Sequence, residues 1–475
     1  MPENEQLSAL DATFLELEQS DDSALMHIGG ALVFEPLPGG GTPTIGQVRE
    51  HLEQRLDLLP RYRQKLDLPR TGGLSWPSWE NDERFEIEAH VRHATLSRPG
   101  DEREFLEWIS DFYSHRLDRS RPLWEMVLLD GLIGGRWALV CKTHHCLVDG
   151  VGSVDATDLL LDAEPAPHEL PAPHPPPVSA SVEALPGWLP HLPAPVGLLA
   201  DAGLAAARGG AHALMHPRDA LECSRAVIEL IVRDEVISAP RSSLNVPIGA
   251  TRRIATVHVT LQQLKDVRAA LGGTVNDVVL CAATSALREL LLARGEDPPH
   301  QGLRAMVPVS IRSVQGGGEA GNQVSSLFVD LPVAEADLLR RYERVSASAQ
   351  QRKASGQARA ASQLTGLAEL APPVLHAGLA RSLYGKRLFN VTITNVPGSP
   401  SRLYAFGAPM VDVIPIVPLA AEHSLAIAIV SYAGGMTFGI YADRTTTPDL
   451  DVLRDGIVTS LLELAELTHL TSTAR

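Results

Sequence analysis

The stretch Arg136-Trp137-Ala138-Leu139-Val140-Cys141-Lys142-Thr143-His144-His145-Cys146-Leu147-Val148-Asp149-Gly150 decides how the chain is read. Its first half alternates in the manner of a strand, and the segment SVDATDLLLD that follows the motif reads as a short helix. Two histidines therefore stand at a strand end, where a side chain can project into a cleft while the strand fixes its position. Asp149 and Gly150 suit a tight turn, glycine permitting backbone angles closed to other residues.

Histidine is the residue type that gives this position chemistry. An unperturbed imidazole titrates near ~6.5, so near neutral pH it accepts a proton, and a positioned base is worth roughly 10²- to 10⁴-fold in rate. Such a base suits a hydroxyl group that attacks a thioester, because the hydroxyl becomes strongly acidic only as the new bond forms. Asp149 is too acidic to act as that base, with an intrinsic pKa near ~3.9, and instead holds the turn by a salt bridge or backbone hydrogen bonds. On the residues alone a second reading stays open: adjacent polar histidines at a strand end, followed by an ordinary Asp-Gly turn. Zinc would need a further ligand that the motif does not offer.

Outward from the motif, GGALVFE reads as another strand, while IGQVREHLEQRLDLL and EREFLEWISDFYSHRL read as amphipathic helices. This mixture predicts an α/β layered domain over residues 1–163. From Glu164 the composition changes to PAPHELPAPHPPPVSASVEALPGWLPHLPAPV, too proline-rich for a helix or sheet interior. Together with the weakly polar helical stretch after it, this predicts a connecting segment over 164–222. A second α/β unit follows over 223–475, with helices TLQQLKDVRAALGG and TVNDVVLCAATSALRELLLARG. Its strands are RAMVPVSIR, NQVSSLFVDLP, KRLFNVTITNVPG and PMVDVIPIVPL.

A chain of 475 residues exceeds a single hydrophobic core, which agrees with two domains. The net charge of -16 is spread along the chain with no dominant basic stripe, so nucleic-acid binding is not expected. Cys141, Cys146, Cys223 and Cys281 are widely spaced and read as reduced thiols of a cytoplasmic protein. No signal peptide is visible at the N-terminus. The uncharged run His423–Ala442 reads as a hairpin around Gly434-Gly435 and not as a membrane span. Gly316-Gly317-Gly318-Glu319-Ala320-Gly321 matches GxGxxG but leads into a strand-like run, so it lacks the context of a dinucleotide site. No GxSxG elbow and no P-loop occurs, which excludes a serine hydrolase and an NTPase of those types.

HHxxxDG is the motif of the CoA-dependent acyltransferases that include chloramphenicol acetyltransferase and peptide-synthetase condensation domains. The chain resembles one branch more closely, the bacterial wax ester synthase/diacylglycerol acyltransferases. The resemblance runs nearly end to end: Leu10-Asp11-Ala12-Thr13-Phe14, Met26-His27, Pro122-Leu123-Trp124, HHCLVDG, Asn276-Asp277-Val278-Val279, Val307-Pro308-Val309-Ser310-Ile311-Arg312, Gly321-Asn322, Asn395-Val396-Pro397-Gly398, Ser431-Tyr432, Gly439 and Ala442-Asp443-Arg444. It implies two chloramphenicol-acetyltransferase-like domains, each a mixed sheet flanked by helices, with an active-site tunnel between them. It also implies that His145 is the general base, with His144, Asp149 and Gly150 completing the motif. Transfer from acyl-CoA would then be direct, without an acyl-enzyme, onto a diacylglycerol or a long-chain alcohol. No bound cofactor and no metal are expected.

Other residues carry two readings each. Thr274 and Asp277 form a capping box at the start of a long helix, whereas Asn276 could donate to the developing oxyanion. Pro122 and Trp124 read as core packing or as a wall of the acyl channel. In related folds an arginine pairs with the motif aspartate; Arg61, Arg63 and Arg312 are candidates for Asp149, with Arg63 preferred. Arg252-Arg253, Arg340-Arg341, Arg352-Lys353 and Lys386-Arg387 are basic pairs that could meet CoA phosphates. Oily products suggest a peripheral site on the inner membrane face or a lipid droplet, and the segment 184–210 with Trp188 either touches lipid or packs between domains. Two alternatives stand beside this reading: transfer to another hydroxyl acceptor in complex lipid synthesis, and a catalytically weak lipid-binding homologue.

Overall fold

Alternation in the decisive stretch becomes a real strand, and its sheet draws strands from both halves of the chain. A computed structural model describes residues 5–68, 77–148, 159–166, 239–310, 324–354 and 388–473. Asp149, Gly150, most of SVDATDLLLD, the stretch from 167 to 238, Arg312, Gly316–Gly321, Asn322, Lys386 and Arg387 lie outside the described residues, as do the side chains of Arg352 and Lys353.

The first half runs α1 (Ala9–Ser20), β1 (His27–Phe34), α2 (Ile45–Leu56), β2 (Gln64–Asp67), β3 (Ser78–Asn81), α3 (Ile87–His90), β4 (Val91–Thr95), α4 (Glu102–Tyr113), β5 (Trp124–Asp130) and β6 (Trp137–His144). The second half runs β7 (Arg252–Thr260), α5 (Leu261–Leu271), α6 (Val275–Ala293), β8 (Leu303–Ser310), β9 (Val324–Leu331), α7 (Leu338–Ala354), β10 (Val391–Pro397), β11 (Tyr404–Ala405), β12 (Ala408–Ile416), β13 (Leu425–Tyr432), β14 (Gly435–Asp443) and α8 (Leu450–Thr473). Helix starts are set by side-chain caps: Ser8 accepts from the Asp11 amide, and Thr44 with Gln47, Thr260 with Gln263 and Thr274 with Asp277 make capping boxes.

Two six-stranded mixed sheets result, in the orders β11-β12-β1-β6-β5-β4 and β7-β14-β13-β10-β8-β9. Helices α5, α6, α7 and α8 cover one face of the second sheet, where Val278, Leu287, Leu290, Ile427, Phe438 and Leu453 share one apolar cluster. Its other face meets the first sheet and α4 through Tyr441, Ile254 and Ala426 against Tyr113, Phe112 and Val127. Burial of this kind is the main favourable term holding the halves together. The uncharged run near the C-terminus is the β13–β14 hairpin, but its turn sits one residue earlier than the Gly-Gly reading. Ala433 (φ 45°) and Gly434 (φ 85°) are the two loop residues, and Gly435 already pairs with Tyr432. Two positive φ values in a two-residue loop match the twist of the flanking strands.

β12 belongs to the second half by sequence and to the first sheet by pairing. It runs antiparallel to β1, Gly29 opposite Ile416 and Ala31 opposite Ile414. The approach is close enough to demand glycine: a Cβ at Gly30 would collide with the Ile414 carbonyl oxygen, and one at Gly439 with the Pro415 carbonyl oxygen. Both obstacles are backbone, so neither can swing aside. Gly30→Ala is therefore expected to destabilise the protein by about 1–3 kcal/mol, the usual range for overpacking. A urea midpoint equal to that of the native chain would contradict this packing.

Among the described residues no single helix is long and apolar enough to cross a membrane. The bent pair α5 and α6 passes the length and composition test together, but Val278 to Leu287 of α6 are almost wholly core.

Candidate functional site

β1 and β6 pair antiparallel with His27 directly opposite His144, so the sheet register sets two histidines side by side. At the end of β6 the chain turns, and three backbone bonds fix the turn. The His144 amide donates to the Leu123 carbonyl (2.9 Å), the His145 amide to the Met26 carbonyl (2.8 Å), and the Leu147 amide to the His144 carbonyl (2.9 Å). Cys146 and Leu147 then drop into the core.

The two motif histidines face different surroundings. His144 is 1% exposed. Its Nδ1 accepts the Cys146 amide at 3.1 Å, which leaves Nε2 to carry the ring proton toward Glu18 Oε2, 3.4 Å away. His145 is only partly buried, and its ring stacks on Phe14 with centroids 4.0 Å apart and planes 20° from parallel.

Glu18 is the hub beneath the pair. It is 2% exposed and lies 3.5 Å from His27 Nε2 through its other oxygen, while Arg119 donates to Oε2. Burial works against its ionisation, yet the contact with His144, the two histidines and Arg119 outweigh it and hold the carboxyl well below the usual range. His27 is pushed well below its ordinary value, first by burial and then by the Lys142 ammonium. Burial likewise lowers His51, His90 and His423.

These histidines give stability a pH dependence with a definite sign. The unfolded chain takes up protons near pH ~6.5, whereas the folded chain keeps the four rings neutral to lower pH. Stability is thus expected to fall as pH drops from about 7 towards 5. His258, raised by its bond to Asp412, acts in the opposite sense, but its side chain is 47% exposed and its effect is screened. Urea midpoints at the two ends of that range test the sum; a higher midpoint in acid would refute it.

The other sequence candidates fall as follows. Pro122 and Trp124 are buried; the Trp124 indole donates to the Tyr62 carbonyl (2.8 Å) and stacks on His90 (4.7 Å). With Leu123 holding the His144 amide, this segment packs under the motif turn. Asp277 is 2% exposed and serves the capping box, with Ser346 donating to it at 3.3 Å. Asn276 is half-buried and accepts from Asn395 Nδ2 at 3.4 Å. Arg63 lies 3.7 Å from Asp57 and over the Phe85 ring, and Arg61 pairs with Glu5 at 2.6 Å. Asp149 and Gly150 lie outside the described residues.

Two of the basic pairs are corrected. Arg252 is fully buried, bonded to backbone carbonyls of Gly249 and Ser23 and facing Asp443 at 3.7 Å; Arg253 pairs with Asp451 at 2.8 Å. Arg341 is 5% exposed and donates to Ser285 and to the Glu335 and Ala336 carbonyls, although Arg340 is exposed. Neither Arg252 nor Arg341 is open to a phosphate. Among the described residues no group of three or more His, Cys, Asp or Glu side chains is arranged to hold a metal ion.

Sequence reasoning passed over Glu18 and Arg119 and gave Phe14 and His27 no role. A signal was present: Asp11, Phe14, Leu15 and Glu18 share one face of α1, so Glu18 is a charge on an otherwise largely buried stripe.

Residues 7–279 match the wax ester synthase/diacylglycerol acyltransferase catalytic domain, and residues 320–465 match the C-terminal domain of the same family. Two probable diacylglycerol O-acyltransferases of Mycobacterium tuberculosis are each 32% identical; one alignment covers 97% of this chain and 96% of the relative, the other 96% and 98%. The wax ester synthase/diacylglycerol acyltransferase of Marinobacter aquaeolei VT8 superposes with a TM-score of 0.69 at 27% identity, covering 98% of this chain and 100% of the other. The starter condensation domain of rhizomide synthetase, solved with C8-CoA, shares the fold at a TM-score of 0.60 and 16% identity, covering 98% of this chain and 95% of the other.

Proposed function

The chain belongs to the wax ester synthase/diacylglycerol acyltransferase family, and from that premise we propose that it moves a long-chain acyl group from acyl-CoA to the hydroxyl of a diacylglycerol or a long-chain alcohol. His145 is the general base. The observation that carries this assignment is the difference between the two histidines: His144 is buried against Glu18 and the Cys146 amide, whereas His145 is partly exposed with its backbone bonded to Met26.

In this reaction His145 takes the proton of the acceptor hydroxyl as its oxygen attacks the thioester carbonyl. The C–S bond then breaks, and the proton passes from the imidazolium to the departing CoA thiolate. No enzyme nucleophile is used, and no metal is required for the balance. Asn276, at the N-terminus of α6, is the proposed donor to the oxyanion; Asn395 Nδ2 occupies its amide oxygen, which leaves its own NH₂ for donation. The tunnel between the halves and a peripheral position on a membrane or lipid droplet belong to the same proposal.

The test is thiol release from palmitoyl-CoA by the purified full chain, with a diacylglycerol and a long-chain alcohol offered separately. Release that depends on an acceptor supports the proposal and ranks the two alcohols. Release with neither, from folded protein, overturns it.

A further inference from the structure

We propose that Glu18 is the positioning residue of this site, and that α1 acts as a clamp holding both motif histidines through side chains one helical turn apart. The inference rests on the reading of His145 as the base.

Residues four apart on a helix lie on one face, about 5–6 Å apart at Cβ. Phe14 and Glu18 are such a pair, and they divide the dipeptide between them: Phe14 lies flat under the His145 ring, while Glu18 stands 3.4 Å from Nε2 of His144. Adjacent residues at a strand end point in different directions, so one flat surface could not seat both. A helix crossing under the turn, with an aromatic ring and a carboxylate one turn apart, can.

Each side chain does a separate job. A buried carboxylate facing Nε2 favours the ring form that carries its proton there, which frees Nδ1 to accept the Cys146 amide. That acceptance holds the turn in which the His145 amide meets the Met26 carbonyl. Glu18 therefore acts on His145 through His144 and the turn, without touching substrate. Glu18 is itself secured: Arg119 donates to carboxylate Oε2, Arg116 donates to its backbone carbonyl at 2.8 Å, and His27 closes the far side. An ion pair this deep is weak evidence for stability alone, since apolar side chains of similar volume often serve as well. Its placement against the motif histidine is what a positioning role explains.

The charged groups around Glu18 come from every packed element. His27 faces it from β1 and His144 from β6, with Arg119 and Arg116 contributed by the segment after α4. Lys142 feels its charge from β6, Arg252 on β7 acts on His27, and Asp11 and the buried Cys146 thiol complete the set. Glu18 keeps its charge above its folded-state pKa and loses it as pH falls through that value.

The experiment compares Glu18→Gln, Glu18→Asp and Arg119→Met with the native full chain, measuring kcat and KM for palmitoyl-CoA against pH, and thermal midpoints. Glu18→Gln is expected to lower kcat per folded molecule by about 10²-fold with KM little changed, the scale of a catalytic group displaced by about 1 Å. Glu18→Asp, which keeps the charge on a shorter arm, recovers part of that rate. Arg119→Met, which removes a donor to the Glu18 carboxylate and keeps the carboxylate itself, is expected to lower kcat by a smaller factor with KM little changed, and this variant keeps the test decisive if Glu18→Gln fails to fold. Native kcat in folded Glu18→Gln, a change in KM alone, or native kcat in folded Arg119→Met overturns the clamp. His145→Ala separates the two layers of argument: if that variant is inactive while Glu18→Gln is fully active, only the clamp fails, whereas an active His145→Ala removes the base on which it rests.

Discussion

Alanine at position 145 is expected to reduce thiol release from long-chain acyl-CoA by about 10²- to 10⁴-fold while leaving the protein folded. The geometry separates these outcomes. The bond from residue 145 to the Met26 carbonyl is made by the backbone amide, so alanine keeps it. Loss of the stack on Phe14 removes an aromatic contact worth about 0.5–1.5 kcal/mol, a small change beside the loss of the base. The variant should therefore show a nearly native unfolding curve and a collapsed kcat. Coupling release to a thiol reagent, with folding followed by circular dichroism, reads both quantities. Turnover close to native would exclude His145 from proton transfer.

Arg252→Ala is expected to produce the largest loss of stability, about 3–5 kcal/mol, as is usual when one member of a buried ion pair is removed. Arg252 and Asp443 are both fully buried and 3.7 Å apart. The guanidinium also donates to the Gly249 carbonyl at 2.5 Å and to the Ser23 carbonyl just after α1, while the Arg252 amide donates to Ser114 Oγ just after α4. One residue of the second sheet thus fastens two segments of the first half. Alanine keeps the amide bond, strands the Asp443 carboxylate and frees the Ser23 carbonyl. Asp443 retains the Gly249 amide and the Thr446 amide and hydroxyl, so the loss should not exceed that range. Urea unfolding measures it, and a midpoint equal to native would show that this joint bears no strain.

Local elements were legible in the sequence because local patterns specify them. Alternation marked β6, two uncharged β-rich runs around Gly434-Gly435 marked the β13–β14 hairpin, and Thr274-Val275-Asn276-Asp277 marked the start of α6 with the correct cap. Partnership was less legible. Residues 409–419 read as a strand, yet nothing within Pro409–Leu419 says that it pairs with β1 nearly four hundred residues earlier; that choice depends on Gly30 and Gly439, each permitting a close backbone approach. The site shows the same division. Its motif histidines were evident, but their support was not. Glu18 within LELEQS looks like an exposed helical charge until α1 packs beneath β1 and β6. Arg252 looks like a surface cation until its neighbours in the other half are known. Long-range electrostatic partners leave little trace in the order of residues.

The pairing of β12 with β1 also has a temporal consequence. β1 can find β6 once residue 144 has been synthesised, but its other edge stays unpaired until β12 emerges after residue 408. At about 5–20 residues per second, that interval is on the order of tens of seconds. Throughout it the nascent chain presents the open edge of the strand that begins at His27 to its surroundings, an invitation to mispairing. The histidine site is among the first parts of the chain to be made and among the last to be enclosed, so the yield of active protein in a host should respond to translation speed over the second half and to chaperone supply.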